Sequence, residues 1–320
     1  MEITKTICIA ILTWIILPIG IAAQQKAVFI LLDGVPADVI ENVNTPVLDE
    51  IAKEGGYSHS YQGGERNQPS ETPTISAPGY MNLITGTWGY KHNVWDNNVE
   101  APNYNYWNIF RIVENANPDL KTAIFSTWED NRTKLIGEGL PQAGKVKIDY
   151  AFDGFEHDSV KFPHNQSRQF IFQIDEYVST EAANFIKEQG PDLTWVYLEF
   201  TDDMGHMCGD GPQFYQAVGK ADNQVGRIWL ALKHRIAQYD EDWMILITTD
   251  HGRSPEDGKG HGGQSNRERT TWIVTNKSNL LPSFYQNPPV VDVMPSILDH
   301  LGVKAPVEIE EQFDGESFLE

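Results

Sequence analysis

Residues 194–209, TWVYLEFTDDMGHMCG, join an apolar run directly to two carboxylates and, four positions after the first of them, a histidine. Trp195, Val196, Tyr197, Leu198 and Phe200 are aromatic, β-branched or aliphatic, and a Gly-containing turn follows, which is the pattern of a buried strand. Asp202, Asp203 and His206 then stand at its C-terminal end. In an open parallel α/β sheet this is the edge where loops converge and ligands bind. A carboxylate and an imidazole so placed can share a divalent metal, with Gly205 freeing the backbone to turn the ring inward. A single D-x-x-x-H is more often a polar loop, so recurrence decides. Two further apolar runs, 28–32 and 244–249, also end in metal-capable side chains: Asp33-Gly34 and Asp250-His251-Gly252.

Between these strand ends the chain alternates. A strand at 27–32 is followed by a helix at 45–53, with Pro46 at its first position and Gly55-Gly56 as its stop. Residues 57–74, rich in Gly, Pro and Ser, read as a surface loop. Pro78 fits the first turn of the next helix, which puts Ser76 at or just before its N-terminus, where free N–H groups favour an anion. A serine there is commonly an N-cap, but beside a metal its hydroxyl becomes a competent nucleophile. Further on come a helix at 104–115, a strand at 122–127 and an irregular aromatic stretch at 128–164, expected to belong to a substrate-covering insertion around 128–170. Amphipathic helices at 175–189 and 213–238 flank the opening strand, and a strand at 272–275 and a helix at 292–301 complete the pattern. The expectation is one α/β domain over 24–320, doubly wound, with a mostly parallel central sheet and helices on both faces.

Composition bounds the partner. With 24 Lys+Arg against 45 Asp+Glu the net charge is −21, which disfavours a nucleic-acid polymer, because basic side chains supply most of that affinity. A small phosphorylated substrate held by metal is compatible. Residues 1–23 have Lys5 near the start, an apolar centre and a small-residue end, as in a cleavable secretory signal. Cleavage would leave a secreted or periplasmic protein with no stable membrane insertion. Of the two cysteines Cys8 would leave with the signal, and Cys208 alone allows no intramolecular disulfide.

The strand-end groups are Asp33, Ser76, Asp202, His206, Asp250, His251 and His261, the last from a Gly-rich loop at 260–263. Six carboxylates and imidazoles suffice for two divalent ions of about three ligands each. Nitrogen and oxygen donors without thiolate favour zinc, with manganese possible. Asn97, in an Asn-rich turn, could donate an amide hydrogen to a phosphoryl oxygen.

LLDG at 31–34, PTIS at 73–76 with the TG pair at 85–86, HNVWDN at 92–97, DDMGH at 202–206, TDHG at 249–252 and GHGG at 260–263 occur in that order. Together they resemble the alkaline phosphatase superfamily, and within it the nucleotide pyrophosphatase/phosphodiesterase (type I phosphodiesterase) branch. The resemblance implies one metal on Asp202, His206 and His261 and another on Asp33, Asp250 and His251. Ser76 would be the nucleophile between them, and Asn97 the donor to the phosphoryl group. It further implies in-line attack by Ser76 and a covalent phosphoseryl intermediate. Tyr80 stands where sulfatases of the superfamily carry arginine and is a candidate substrate contact. The branch commonly has threonine at the nucleophile and an aromatic residue after it. Here Ser76 is followed by Ala77, which weakens the expectation of a nucleotide substrate. Phosphodiester or nucleotide pyrophosphate hydrolysis leads, a phosphomonoesterase of the same fold is the alternative, and a sulfatase-like hydrolase or a metal-binding protein without turnover stand further off.

Overall fold

A computed structural model describes residues 23–320. The expected signal segment therefore lies outside the described residues, apart from its last position. Seven strands form one sheet: β1 Gln24–Leu32, β2 Gly56–Tyr61, β3 Thr122–Ser126, β4 Tyr150–Phe152, β5 Leu193–Leu198, β6 Glu241–Thr248 and β7 Thr270–Thr275, in spatial order β2-β7-β6-β1-β5-β3-β4. The pairs from β6 to β4 are parallel, whereas β7 runs antiparallel to both β6 and β2. The longer helices are α1 Pro46–Glu54, α2 Ser76–Thr85, α3 Ile109–Ala116, α4 Gln169–Gln189, α5 Phe200–Cys208, α6 Pro212–Gln238 and α7 Val293–Leu301. This is the mostly parallel α/β sheet expected from the alternation of apolar runs and amphipathic helices.

Strand periodicity sorts the core into two layers. Ala27, Phe29 and Leu31 of β1 face α2, α3 and α7, while Val28, Ile30 and Leu32 face α1, α4, α5 and α6. Both faces are covered, so the central strands read as continuous apolar runs rather than as alternating ones. Among the described residues no helix is long and apolar enough to cross a membrane.

Register places the site. Leu31 lies opposite both Tyr197 of β5 and Thr248 of β6. Two residues beyond each of these positions come Asp33, Glu199 and Asp250, so three adjacent strands deliver their polar ends to one edge of the sheet.

Several local expectations are corrected. The stretch 57–74 is not wholly a loop, since its first part is β2, an edge strand whose alternation is carried by Ser58 and Ser60 on the buried side rather than by large apolar residues. The stretch 128–164 contributes the opposite edge strand, β4, and a π-helical turn, Asn131–Ile136, alongside irregular backbone. Helix α3 begins at Ile109 rather than near residue 104, because the Asn108 side chain accepts from the Arg111 N–H at 3.1 Å and caps it there. The turn expected after β5 is instead helix α5, with Gly205 inside it.

Candidate active site

At the C-terminal sheet edge the seven strand-end residues form two neighbouring groups and a hydroxyl. In the first group, ligand atoms of Asp33, Asp250 and His251 all lie within 4.8 Å of one another. His251 Nε2 is 3.2 Å from Asp250 Oδ2 and 3.6 Å from Asp33 Oδ1. His251 Nδ1 lies 2.9 Å from the Gly252 carbonyl, which assigns the ring proton to Nδ1 and leaves Nε2 a bare acceptor. All three side chains are buried, and Asp33 Oδ1, Asp250 Oδ2 and His251 Nε2 have no hydrogen-bond partner. Three buried acceptors facing one another with no donor are costly unless a cation lies among them. The donor set therefore fits a divalent metal ion.

Electrostatics point the same way. Burial, then the charges of Asp250 and Asp202, push the Asp33 carboxyl well above the ordinary carboxylate range. Asp250 is pushed up to about 7, chiefly by burial. Burial, with His261 beside it, holds the His251 imidazole well below its ordinary value. Carboxyls driven toward protonation and an imidazole driven toward neutrality describe a pocket that lacks positive charge.

The second group is Asp202, His206 and His261, again with ligand atoms within 4.8 Å of one another. Asp202 and His206 are one turn apart on α5, with Oδ2 and Nε2 separated by 3.1 Å. His261 Nε2 is 3.0 Å from His206 Nε2, and its Nδ1 is 3.0 Å from the Thr74 carbonyl. Burial works to raise the Asp202 carboxyl, but the His206 hydrogen bond and the Arg253 charge hold it below the usual range. The two groups touch: the His251 and His261 rings stack with centroids 3.8 Å apart.

Ser76 is the first residue of α2, and with Asn97, Tyr80, Asp33 and Asp202 it lines a cavity of about 460 Å³. Asn97 Oδ1 accepts the Ala77 N–H at 2.9 Å, which fixes its amide beside Ser76 and leaves Nδ2 for the cavity. His92, buried and held down to about 3 by desolvation, anchors the segment leading to Asn97 through Asn82 and the Val94 N–H. Tyr80 is fully buried, and its hydroxyl donates to Asp33 Oδ2. That proton is committed to the carboxylate, so in this arrangement Tyr80 orients Asp33. Outward from these residues the wall is made by Asn98, Trp128, Asp130, Lys134 and Glu199.

Some neighbours carry no signal in the sequence. Tyr197 also donates to Asp33 Oδ2, at 2.6 Å, yet in the chain it reads as one more apolar strand residue. Arg253 is wholly buried and its Nη1 lies 2.5 Å from Asp202 Oδ1. Only its position just after Asp250-His251-Gly252 could have drawn attention. Asp203 is turned away from the groups and pairs with Arg168 at 2.9 Å, and Cys208 is a free thiol outside both groups.

Several known proteins are similar to this chain. The human "ectonucleotide pyrophosphatase/phosphodiesterase family member 7" is 22% identical over 245 residues, covering 73% of this chain and 49% of that protein. A Saccharomyces cerevisiae "ectonucleotide pyrophosphatase/phosphodiesterase 1" is 24% identical over 267 residues, covering 71% of this chain and 34% of its own length. The chain thus spans about half or less of these curated relatives. Among solved structures, an inactive variant of murine ectonucleotide pyrophosphatase/phosphodiesterase 5 in complex with AMP superposes with a TM-score of 0.59 at 15% identity, covering 88% of this chain and 96% of that one. At that identity the likeness establishes the fold. Residues 27–296 match the sequence profile of the type I phosphodiesterase/nucleotide pyrophosphatase family, which takes in both acidic groups, Ser76 and Asn97, and the chain belongs to that family.

Proposed function

We propose that this protein is a hydrolase of phosphoric esters that cleaves phosphodiesters or nucleotide pyrophosphates through Ser76, at a site holding two divalent cations. The observation that carries the reading is the set of three buried, partnerless acceptors on Asp33, Asp250 and His251, beside a second triad of the same donor types. Nitrogen and oxygen donors without thiolate favour zinc over magnesium or calcium, with manganese the next choice. Bound there, such ions lower the pKa of a hydroxyl and offset charge on the phosphoryl oxygens.

The chain's own residues supply the rest. Ser76 stands at the start of α2, where the helix N-terminus favours the phosphate's negative charge. Its Oγ forms the new bond to phosphorus as the bond to the departing alcohol breaks in line, giving a phosphoseryl intermediate that water then hydrolyses. Asn97 Nδ2 donates to a non-bridging oxygen, held for this by the Ala77 N–H on its carbonyl side. Tyr80 and Tyr197 keep Asp33 turned so that Oδ1, not Oδ2, faces the first group. The outer wall, with one aromatic plate at Trp128 among polar side chains, receives the part of the substrate that leaves. Net charge disfavours a polymeric nucleic acid, so the substrate is a small phosphorylated molecule. The basic-then-apolar stretch 1–23 supports export to a secreted or periplasmic location.

Hydrolysis of bis-p-nitrophenyl phosphate set against p-nitrophenyl phosphate, each with and without a chelator, tests the reading. The diester should be cleaved preferentially, and chelation should abolish the activity. A large preference for the monoester would transfer the assignment to a phosphomonoesterase of the same fold. Turnover that survives complete removal of metal would reject the cation-dependent site.

A further inference from the structure

Arg253 is a fully buried guanidinium in a chain of net charge −21, and burying a charge is costly unless every donor finds a partner. An arginine has five N–H donors, and here five acceptors meet them. Nε donates to the Gly258 carbonyl at 2.6 Å. Nη1 donates to Asp202 Oδ1 at 2.5 Å and to the Gly34 carbonyl at 3.3 Å. Nη2 donates to the carbonyls of Asp202 and Lys259, both at 3.2 Å. Four acceptors are neutral carbonyls, so the charge has one anionic partner, Asp202. Two glycines make the room: a Cβ on Gly205 would fall 2.2 Å from Arg253 Cζ, and one on Gly34 would fall 2.6 Å from Nη1.

The two acidic groups therefore differ in charge. Asp33, Asp250 and His251 bring two carboxylates and no basic partner, whereas Asp202, His206 and His261 bring one carboxylate that already shares an oxygen with a guanidinium. We propose that Arg253 is a positioning residue for Asp202: it occupies Oδ1, which His261 Nε2 approaches only to 3.9 Å, it leaves Oδ2 toward His206 Nε2 at 3.1 Å, and its charge makes this the weaker of the two cation sites. The inference rests on the two-cation reading above. The Asp33 group fills first and holds its ion, and the Asp202 group fills second. An ion held by Asp202, His206 and His261 would receive less charge from its ligands and would be the stronger Lewis acid of the two.

Zinc titration of the metal-stripped protein against a chromophoric chelator, together with the melting temperature of the stripped form, separates this role from scaffolding. Wild type should bind two ions, one at least tenfold more weakly than the other. Arg253→Met should lower the melting temperature, because five buried hydrogen bonds are lost, yet tighten the weaker site about tenfold or more, because a nearby positive charge is gone. Arg253→Lys keeps the charge without the fork, so it should also melt lower but leave the weaker constant within threefold of wild type. His206→Ala should remove the weaker site and with it any effect of Arg253→Met on binding. A merely structural arginine would weaken binding and melting together; that result, an equal shift at both sites, or an unchanged weaker site in Arg253→Met overturns the proposal. Should Arg253→Met not fold, Arg253→Gln, which removes the charge but keeps an amide donor for Asp202 Oδ1, replaces it: a weaker site tightened about tenfold supports the charge role, and an unchanged or weakened one overturns it. Wild type binding fewer than two ions at saturation would instead defeat the two-cation reading itself.

Discussion

Asp33 shows how one side chain is shaped by its shell. Its Oδ2 accepts from both Tyr80 and Tyr197, while Oδ1 is left bare toward His251. A buried hydrogen bond to a charged group contributes about 1.5–3 kcal/mol. Tyr197→Phe should therefore weaken cation retention by about tenfold or more, readable as zinc lost on dialysis against a weak chelator, with far-UV circular dichroism unchanged. Ser76 differs in kind, because it brings a hydroxyl rather than a carboxylate or imidazole to the cavity it lines with Asp33 and Asp202. Ser76→Ala should lower diester hydrolysis by about a thousandfold or more, as expected for loss of a nucleophile. Elemental analysis should still find two divalent ions per chain; loss of both ions would mean that the serine is needed to assemble the site.

At the scale of the element, the decisive feature is that β5 runs almost directly into α5. Asp175, on α4, accepts from the Glu199 and Phe200 N–H groups at 3.1 and 2.9 Å, capping α5 from outside the helix. The cap sets the direction in which Asp202 and His206 leave the strand. Asp175 is pushed up to about 7 by burial. A carboxyl whose pKa is raised on folding favours the folded state most below its unfolded value near 3.8, and this advantage fades as pH rises toward 7. Wild type should thus lose stability relative to Asp175→Asn between about pH 4 and pH 7. The raised pKa bounds the difference at about 4 kcal/mol, a unit being worth 1.36 kcal/mol. Paired thermal melts across that range check it, and a gap that stays constant with pH would contradict the role of burial. Gly205, expected in a turn, sits inside this helix because Arg253 packs where a side chain would project. Gly205→Ala should accordingly destabilise the protein more than an exposed helical Gly→Ala, which is normally stabilising, and denaturant unfolding would show the sign.

For the molecule as a whole, the candidate ligands come from β1, α5, the end of β6 and the loop before β7, so bound ions would tie together segments far apart in the chain. A ligand that binds only the folded state at a hundred times its Kd adds about 2.7 kcal/mol. Metal removal should therefore lower the melting temperature by several degrees, and zinc should restore it in a concentration-dependent way; a melt indifferent to zinc would argue against ions bridging these elements. Much of this architecture is legible in the chain. Apolar runs ending in Asp33, Asp202 and Asp250 announce parallel strands whose polar ends share an edge, because strand burial and strand termination are local and leave local patterns. The edge strands β2 and β4 were not legible, since one is built on serines and the other is three residues long. By itself the sequence determined which acids, imidazoles and hydroxyl stand at strand ends and helix starts, a matter of neighbours along the chain. That Tyr80 and Tyr197 turn Asp33, that Asp175 aims α5 and that Arg253 shares Asp202 follows instead from the folded arrangement, because each contact joins residues tens to more than a hundred positions apart, whose meeting depends on sheet order and register.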